Sequence, residues 1–260
     1  MRIRNKDAFC NKLVYEVRYQ YGMTYLDRCG TTVNRIMRTY PEWVIQDSPN
    51  PQNAPMVHPL TGMLFNFNPI KYDFSLDQSV DQPLSRADIE AFIDQVECLS
   101  SIVHEELELT TFVREGFRIW YVLEMKSEED ANQWITSSGV FNVSPAVPAA
   151  FKGTTETAGY VLVIVTDERK YRVAVNTAER LERLNVGNLN ILPRSLSKRQ
   201  RETLLDQMKA KSRLRQNPQH VVSLDVDAYV DEPIEVVPHD FLSRSIDAIE
   251  SGLPKAFEGE

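Results

Sequence analysis

The sequence predicts a mixed α+β protein made of two ferredoxin-like halves. Three observations carry that expectation. Residues 1–125 read as β-α-β-β-α-β, residues 126–260 read as α-β-β-α-β-α, and no low-complexity tract or long linker lies between them. The run α-β-β-α-β occurs in both halves although the residues themselves do not repeat. That order is compatible with an internal duplication, and the boundary between the halves is expected at 125/126.

The elements follow from the pattern of apolar residues. Residues 13–20 (LVYEVRYQ) are β-branched and aromatic with polar interruptions at period two, the signature of a strand. Leu26, Cys29, Val33, Ile36, Met37 and Tyr40 recur at helical spacing over 25–39, with Thr24 at the position of an N-cap and Pro41 as the stop. Residues 48–55 (SPNPQNAP) read as a loop. MLFNF (63–67) and KYDFSL (71–76) alternate as two strands of a hairpin. Ser85 with Asp88 three residues on resembles a capping box, and Ile89, Phe92, Val96, Leu99 and Val103 form one stripe of a helix over 86–106. A strand follows at 111–124, where Gly116 predicts a bulge or a close backbone approach.

In the second half a short helix is expected over 128–135, and residues 144–155 are rich in turn formers. Strands are expected at 160–166 and 171–176, joined by the hairpin Asp167–Lys170. Leu204, Leu205 and Met208 place a helix over 196–215, Val221–Val230 is a strand, and Phe241, Leu242, Ile246 and Ile249 place a last helix over 239–251. Gly252-Leu253-Pro254 should end or kink that helix.

Composition bounds the function. With 29 Lys and Arg against 37 Asp and Glu the net charge is −8, which disfavours a general nucleic-acid binder. The balance is uneven: residues 194–215 carry +6, leaving −14 on the rest of the chain. No stretch is long and apolar enough to span a membrane. Cys10, Cys29 and Cys98 are an odd, scattered set without a Cys-x-x-Cys pair, which fits a reducing cytosol and argues against a disulfide framework or a zinc site.

Motifs for chemistry are few. There is no Gly-x-Gly-x-x-Gly, Walker-type loop, Gly-x-Ser-x-Gly elbow or His-Glu-x-x-His, and the four histidines are scattered. No cofactor is implied. Asp225 and Asp227 share one strand face, about 7 Å apart, a spacing at which paired carboxylates can hold a divalent cation for phosphoryl transfer. Arg114 and Arg118 should share a face with Gly116 and can receive an anion or those carboxylates; the commonplace alternative is an ion-pair ladder on the sheet surface. The basic helix, with Lys198, Arg199 and Arg201, can contact nucleic acid or an acidic partner, although no aromatic residue is interleaved for base stacking.

Three segments carry a resemblance. Leu13–Tyr19 (LVYEVRY) resembles the EVxFEIRF opening of a sporadically distributed family of uncharacterised bacterial proteins. Arg114–Arg118 resembles that family's R-x-G-x-R strand, and Leu224–Tyr229 (LDVDAY) resembles its LDIDVY strand, followed in both by a C-terminal helix ending in Phe, here Phe257. Where the family has RYINRI, this chain has Arg118–Leu123 (RIWYVL). The resemblance implies a soluble bacterial protein of patchy occurrence, as accessory or defence genes have, and brings no catalytic residue or cofactor with it. The expected function is a non-catalytic protein-binding component whose partner is another protein or a second copy. The alternatives are a metal-dependent enzyme on nucleotides or phosphodiesters through Asp225 and Asp227, and a nucleic-acid contact through 196–215.

Overall fold

The computed structural model describes residues 1–47, 49–78, 82–140, 144, 146–152, 158–180, 219–234 and 240–258. The expected basic helix over 196–215, with Lys198, Arg199 and Arg201, lies outside them. The elements run β1 (Arg2–Ile3), β2 (Lys6–Tyr19), α1 (Thr24–Thr39), β3 (Val44–Ile45), β4 (Ala54–His58), β5 (Met63–Phe67), β6 (Lys71–Asp77), α2 (Arg86–Leu107) and β7 (Phe112–Met125). They continue with α3 (Glu128–Thr136), α4 (Ala146–Ala150), β8 (Gly159–Val165), β9 (Lys170–Arg180), β10 (Gln219–Val230) and α5 (Phe241–Glu258).

Among the described residues the two halves share one ten-stranded antiparallel sheet in the order β3-β4-β5-β6-β2-β7-β10-β9-β8, with β1 beside β2. The boundary expected at 125/126 falls at the end of β7, whose two edges pair with β2 and with β10. β10 runs between β7 and β9, so the second half does not repeat the strand order of the first.

Alternation along the long strands separates two faces. Leu13, Tyr15 and Val17 of β2, Phe117, Ile119, Tyr121 and Leu123 of β7, and Val222, Leu224, Val226 and Ala228 of β10 are buried in one continuous core. The buried apolar residues of α1, α2, α3 and α5 belong to the same core, so these helices cover a single face of the sheet. Its densest part is aromatic: Phe65 stacks on Phe74 with centroids 4.3 Å apart, and Trp43 is fully buried with its indole N–H donated to Gln95 at 2.7 Å.

Local chemistry explains the element ends and three departures from expectation. The capping box opens α2 as expected: the Ser85 hydroxyl accepts from Asp88 N–H, and the Asp88 carboxylate accepts from Ser85 N–H at 2.8 Å. α1 is capped differently. Met23, not Thr24, is its N-cap, and no side chain caps it. Residues 54–55, read as loop, belong to β4. Pro55 sits opposite Asn66 in the outer part of the sheet, where a missing ladder donor is tolerated. Pro254 does not end α5, which continues to Glu258. Proline removes one intrahelical bond to residue 250, and the buried Ile249, Leu253 and Phe257 hold the helix on the core through that gap.

Candidate functional site

The outer face of the sheet holds four of the residues that the sequence nominated, Arg114, Arg118, Asp225 and Asp227. Arg114, Gly116, Arg118 and Trp120 of β7 lie beside Asp225, Asp227 and Tyr229 of β10, with Lys170, Arg172 and Ala174 of β9 beyond. No register shift occurs at Gly116, so it is not a bulge. The other expectation for it, a close approach, is the observed one. A Cβ built on Gly116 lies 3.3 Å from a terminal nitrogen of the Arg114 guanidinium and 3.6 Å from Asp227 Oδ1. Arg114 crosses over this glycine to reach Asp227 at 3.0 Å.

Arg118 grips Asp225 with both ends of its fork, Nε to Oδ1 at 2.7 Å and a terminal nitrogen to Oδ2 at 2.5 Å, while Arg172 approaches Oδ2 at 3.5 Å. Two rings support the guanidiniums from below. Arg118 lies 4.3 Å from the centroid of Trp120, and Arg114 lies 4.5 Å from that of Tyr229. Asp225 is 9% exposed despite facing outward, because these side chains cover it. Burial pushes the Asp227 carboxyl above its ordinary value, against the pull of Arg114 and Arg118. The structure thus brings all four nominated residues together, each carboxylate facing a guanidinium. The ladder continues across β2 and β6 through Glu16, which accepts from Lys71 at 2.8 Å and Arg18 at 2.7 Å. Among the described residues no group of three or more His, Cys, Asp or Glu is placed to hold a metal ion.

A second polar cluster is buried under the helices. Glu115 points inward from β7 and is fully buried; its Oε1 accepts from the Tyr15 hydroxyl at 2.7 Å, and its Oε2 has no hydrogen-bond partner among the described residues. Burial pushes the Glu115 carboxyl from 4.5 up to about 8; the Tyr15 hydrogen bond and Arg169 oppose the shift, and Asp240 adds to it. Nearby, the Tyr72 hydroxyl is 2.8 Å from His104 Nε2.

The feature that sequence reasoning missed is the far edge of the sheet. β8 is Gly159-Tyr160-Val161-Leu162-Val163-Ile164-Val165, seven residues without a charge or a proline, and it is the last strand in the order. Val161, Val163 and Val165 face outward with Ala174, Arg172 and Lys170, whereas Tyr160, Leu162 and Ile164 face inward with Val175, Val173 and Tyr171. Five of these residues, Val161 to Val165, are exposed. The inward set borders an apolar groove of about 260 Å³ closed on its other side by Ile249, Leu253 and Phe257 of α5. The available signal was the lack of alternation. A half-buried strand carries polar residues on one face, and this one carries none.

Neither a protein-family model nor a curated protein matches the chain.

Proposed function

We propose that this chain is a non-catalytic protein-interaction component whose contact surface is β8, the outermost strand among the described residues, together with the groove beneath it. One observation carries the reading: an apolar edge strand exposed on both faces. Exposed edges offer unpaired N–H and C=O groups, and soluble proteins ordinarily blunt them with charges, prolines, bulges or brevity. The opposite edge of this sheet is blunted, since β3 is only two residues long. β8 has none of these devices. An apolar strand outermost among the described residues, beside an apolar groove, is suited to strand addition by a partner, with backbone bonds giving affinity and alternate side chains entering the groove.

The ladder on the outer face fits a structural part in this reading. Its guanidiniums and carboxylates satisfy one another and stiffen the β7-β10-β9 segment that carries β8. A catalytic cation at Asp225 and Asp227 would first have to displace Arg114 and Arg118. The nucleic-acid alternative rests on 196–215, outside the described residues. An accessory or defence setting rests on the bacterial resemblance alone. The order β5-β6-β2-β7 favours a ferredoxin-like connectivity for the first half, while a duplication is supported only by the order of elements along the chain.

The test is comparative affinity purification from the native host, with wild type against Val163→Lys, followed by mass spectrometry. Proteins retained by the wild type and lost from the variant are expected. Identical sets of retained proteins would contradict the proposal.

A further inference from the structure

We infer that the groove between the sheet and α5 binds a small uncharged amphiphile, an unbranched aliphatic chain of roughly ten carbons ending in a carbonyl oxygen. The inference does not rest on β8 as a contact surface. It rests on the shape of the groove, its lining and its polar end. The floor is the inner face of the sheet, with Leu162 and Ile164 of β8 and Val173 of β9, and the roof is Ile249, Leu253 and Phe257 of α5. The volume is about 260 Å³. An apolar cavity of about 150 Å³ stays dry and holds the six carbons of benzene, so in proportion this groove takes roughly ten. The strand rises about 13 Å from Tyr160 to Ile164, which suits an extended chain better than a compact ring system. Leu162 and Ile164 face inward yet are 40 and 49% exposed, so the groove is reached from solvent without unfolding.

One end of the groove is polar. There the Tyr160 hydroxyl, on a side chain that is nearly buried, lies beside Ser138. Trp134 of α3 packs against Phe257 with ring centroids 5.4 Å apart, and its indole N–H is buried with no hydrogen-bond partner among the described residues. A buried donor of this kind is destabilising until something accepts from it. A carbonyl oxygen at this end supplies the acceptor. Among the described residues that line the groove none is charged, so a carboxylate or ammonium head would be desolvated without a counter-ion. The head is therefore neutral.

Isothermal titration calorimetry of the full chain with methyl octyl ketone tests the inference. One molecule per chain should bind, with a dissociation constant on the order of 1–100 μM. From methyl butyl ketone to methyl octyl ketone, each added methylene should tighten binding about fourfold. Decanoate should bind at least about tenfold more weakly. Gly252→Leu is the decisive variant. Gly252 lines the groove and a Cβ built on it meets no atom within 4 Å, so the new side chain fills the space without a clash and with better helix propensity. It should melt no lower than the wild type and lose the ketone. Trp134→Phe keeps a ring against Phe257 and removes the donor; it should weaken the ketone about fivefold to tenfold and leave the increment per methylene unchanged. A wild type that binds no ketone, an affinity indifferent to chain length, equal affinity for decanoate, or binding retained by Gly252→Leu or undiminished in Trp134→Phe overturns the inference. Partner capture by β8 is read separately, by affinity purification, so either reading can fail alone.

Discussion

Replacing Glu115 by Gln should make the protein more stable as pH rises, and the structure fixes both sign and size. The carboxyl is fully buried, with one oxygen accepting from Tyr15 and the other without a partner. Burial holds the folded-state pKa near 8 against an ordinary 4.5. Between those values the folded chain keeps a proton that the unfolded chain has released. The stability contributed by the protonated carboxyl is therefore fully present below about pH 4.5 and lost as pH climbs through 8. At pH 7 the unfolded state has gained about 2.5 pH units of deprotonation, on the order of 3 kcal/mol. Glutamine keeps the shape and the acceptor for Tyr15 and does not ionise. Urea titrations at successive pH values, followed by the fluorescence of Trp43, Trp120 and Trp134, give the difference between variant and wild type directly. That difference should be under about 1 kcal/mol near pH 5 and widen by roughly 2–3 kcal/mol by pH 7 in favour of Gln. Parallel stability profiles would show that Glu115 is ionised in the fold and that its burial is misjudged.

Three further outcomes follow from particular contacts. Arg118→Met should cost about 1–3 kcal/mol in a urea titration, and Asp225→Asn less, because losing the arginine leaves a nearly buried carboxylate with only Arg172, whereas a lone Arg118 still stacks on Trp120 in reach of water. Gly22→Ala should cost more than about 2 kcal/mol, since its Cβ would lie 2.3 Å from the Pro69 carbonyl oxygen, while Gly116→Ala should cost under about 1 kcal/mol because its nearest neighbour is the movable Arg114 guanidinium. Thermal melts rank the two, and the reverse order would refute the assignment. Ser85→Ala removes half of the capping box and should lower stability by about 1 kcal/mol, measured the same way.

What the sequence made legible was local. The Ser85–Asp88 cap and the stripe from Ile89 to Val103 define α2 without any tertiary information, and alternation over Lys12–Tyr19 of β2 names the residues of each face. Period two also put Arg114, Arg118, Asp225 and Asp227 where they can meet, and the ladder is the outcome. What was not legible depended on distant partners. Pro55 reads as a loop residue until Asn66 is seen opposite it near the sheet margin. Pro254 reads as a helix end or kink, and that the helix runs on past it is seen only with the flanking Leu253 and Phe257 in the core. The insertion of β10 between β7 and β9 has no local signature, and it is this insertion that leaves β8 outermost. An all-apolar heptapeptide is equally compatible with a central strand, so its composition announced burial and its position supplied exposure.

The central claim is that β8 is an interface. Placing a photo-crosslinking residue at Val163, and in a control at the still more exposed Leu60 between β4 and β5, measures this in living cells. Irradiation should yield a discrete higher-mass adduct of the chain from position 163 and none from position 60. An uncrosslinked chain at 163, or the same diffuse products from both positions, would show that β8 meets no partner in the cell.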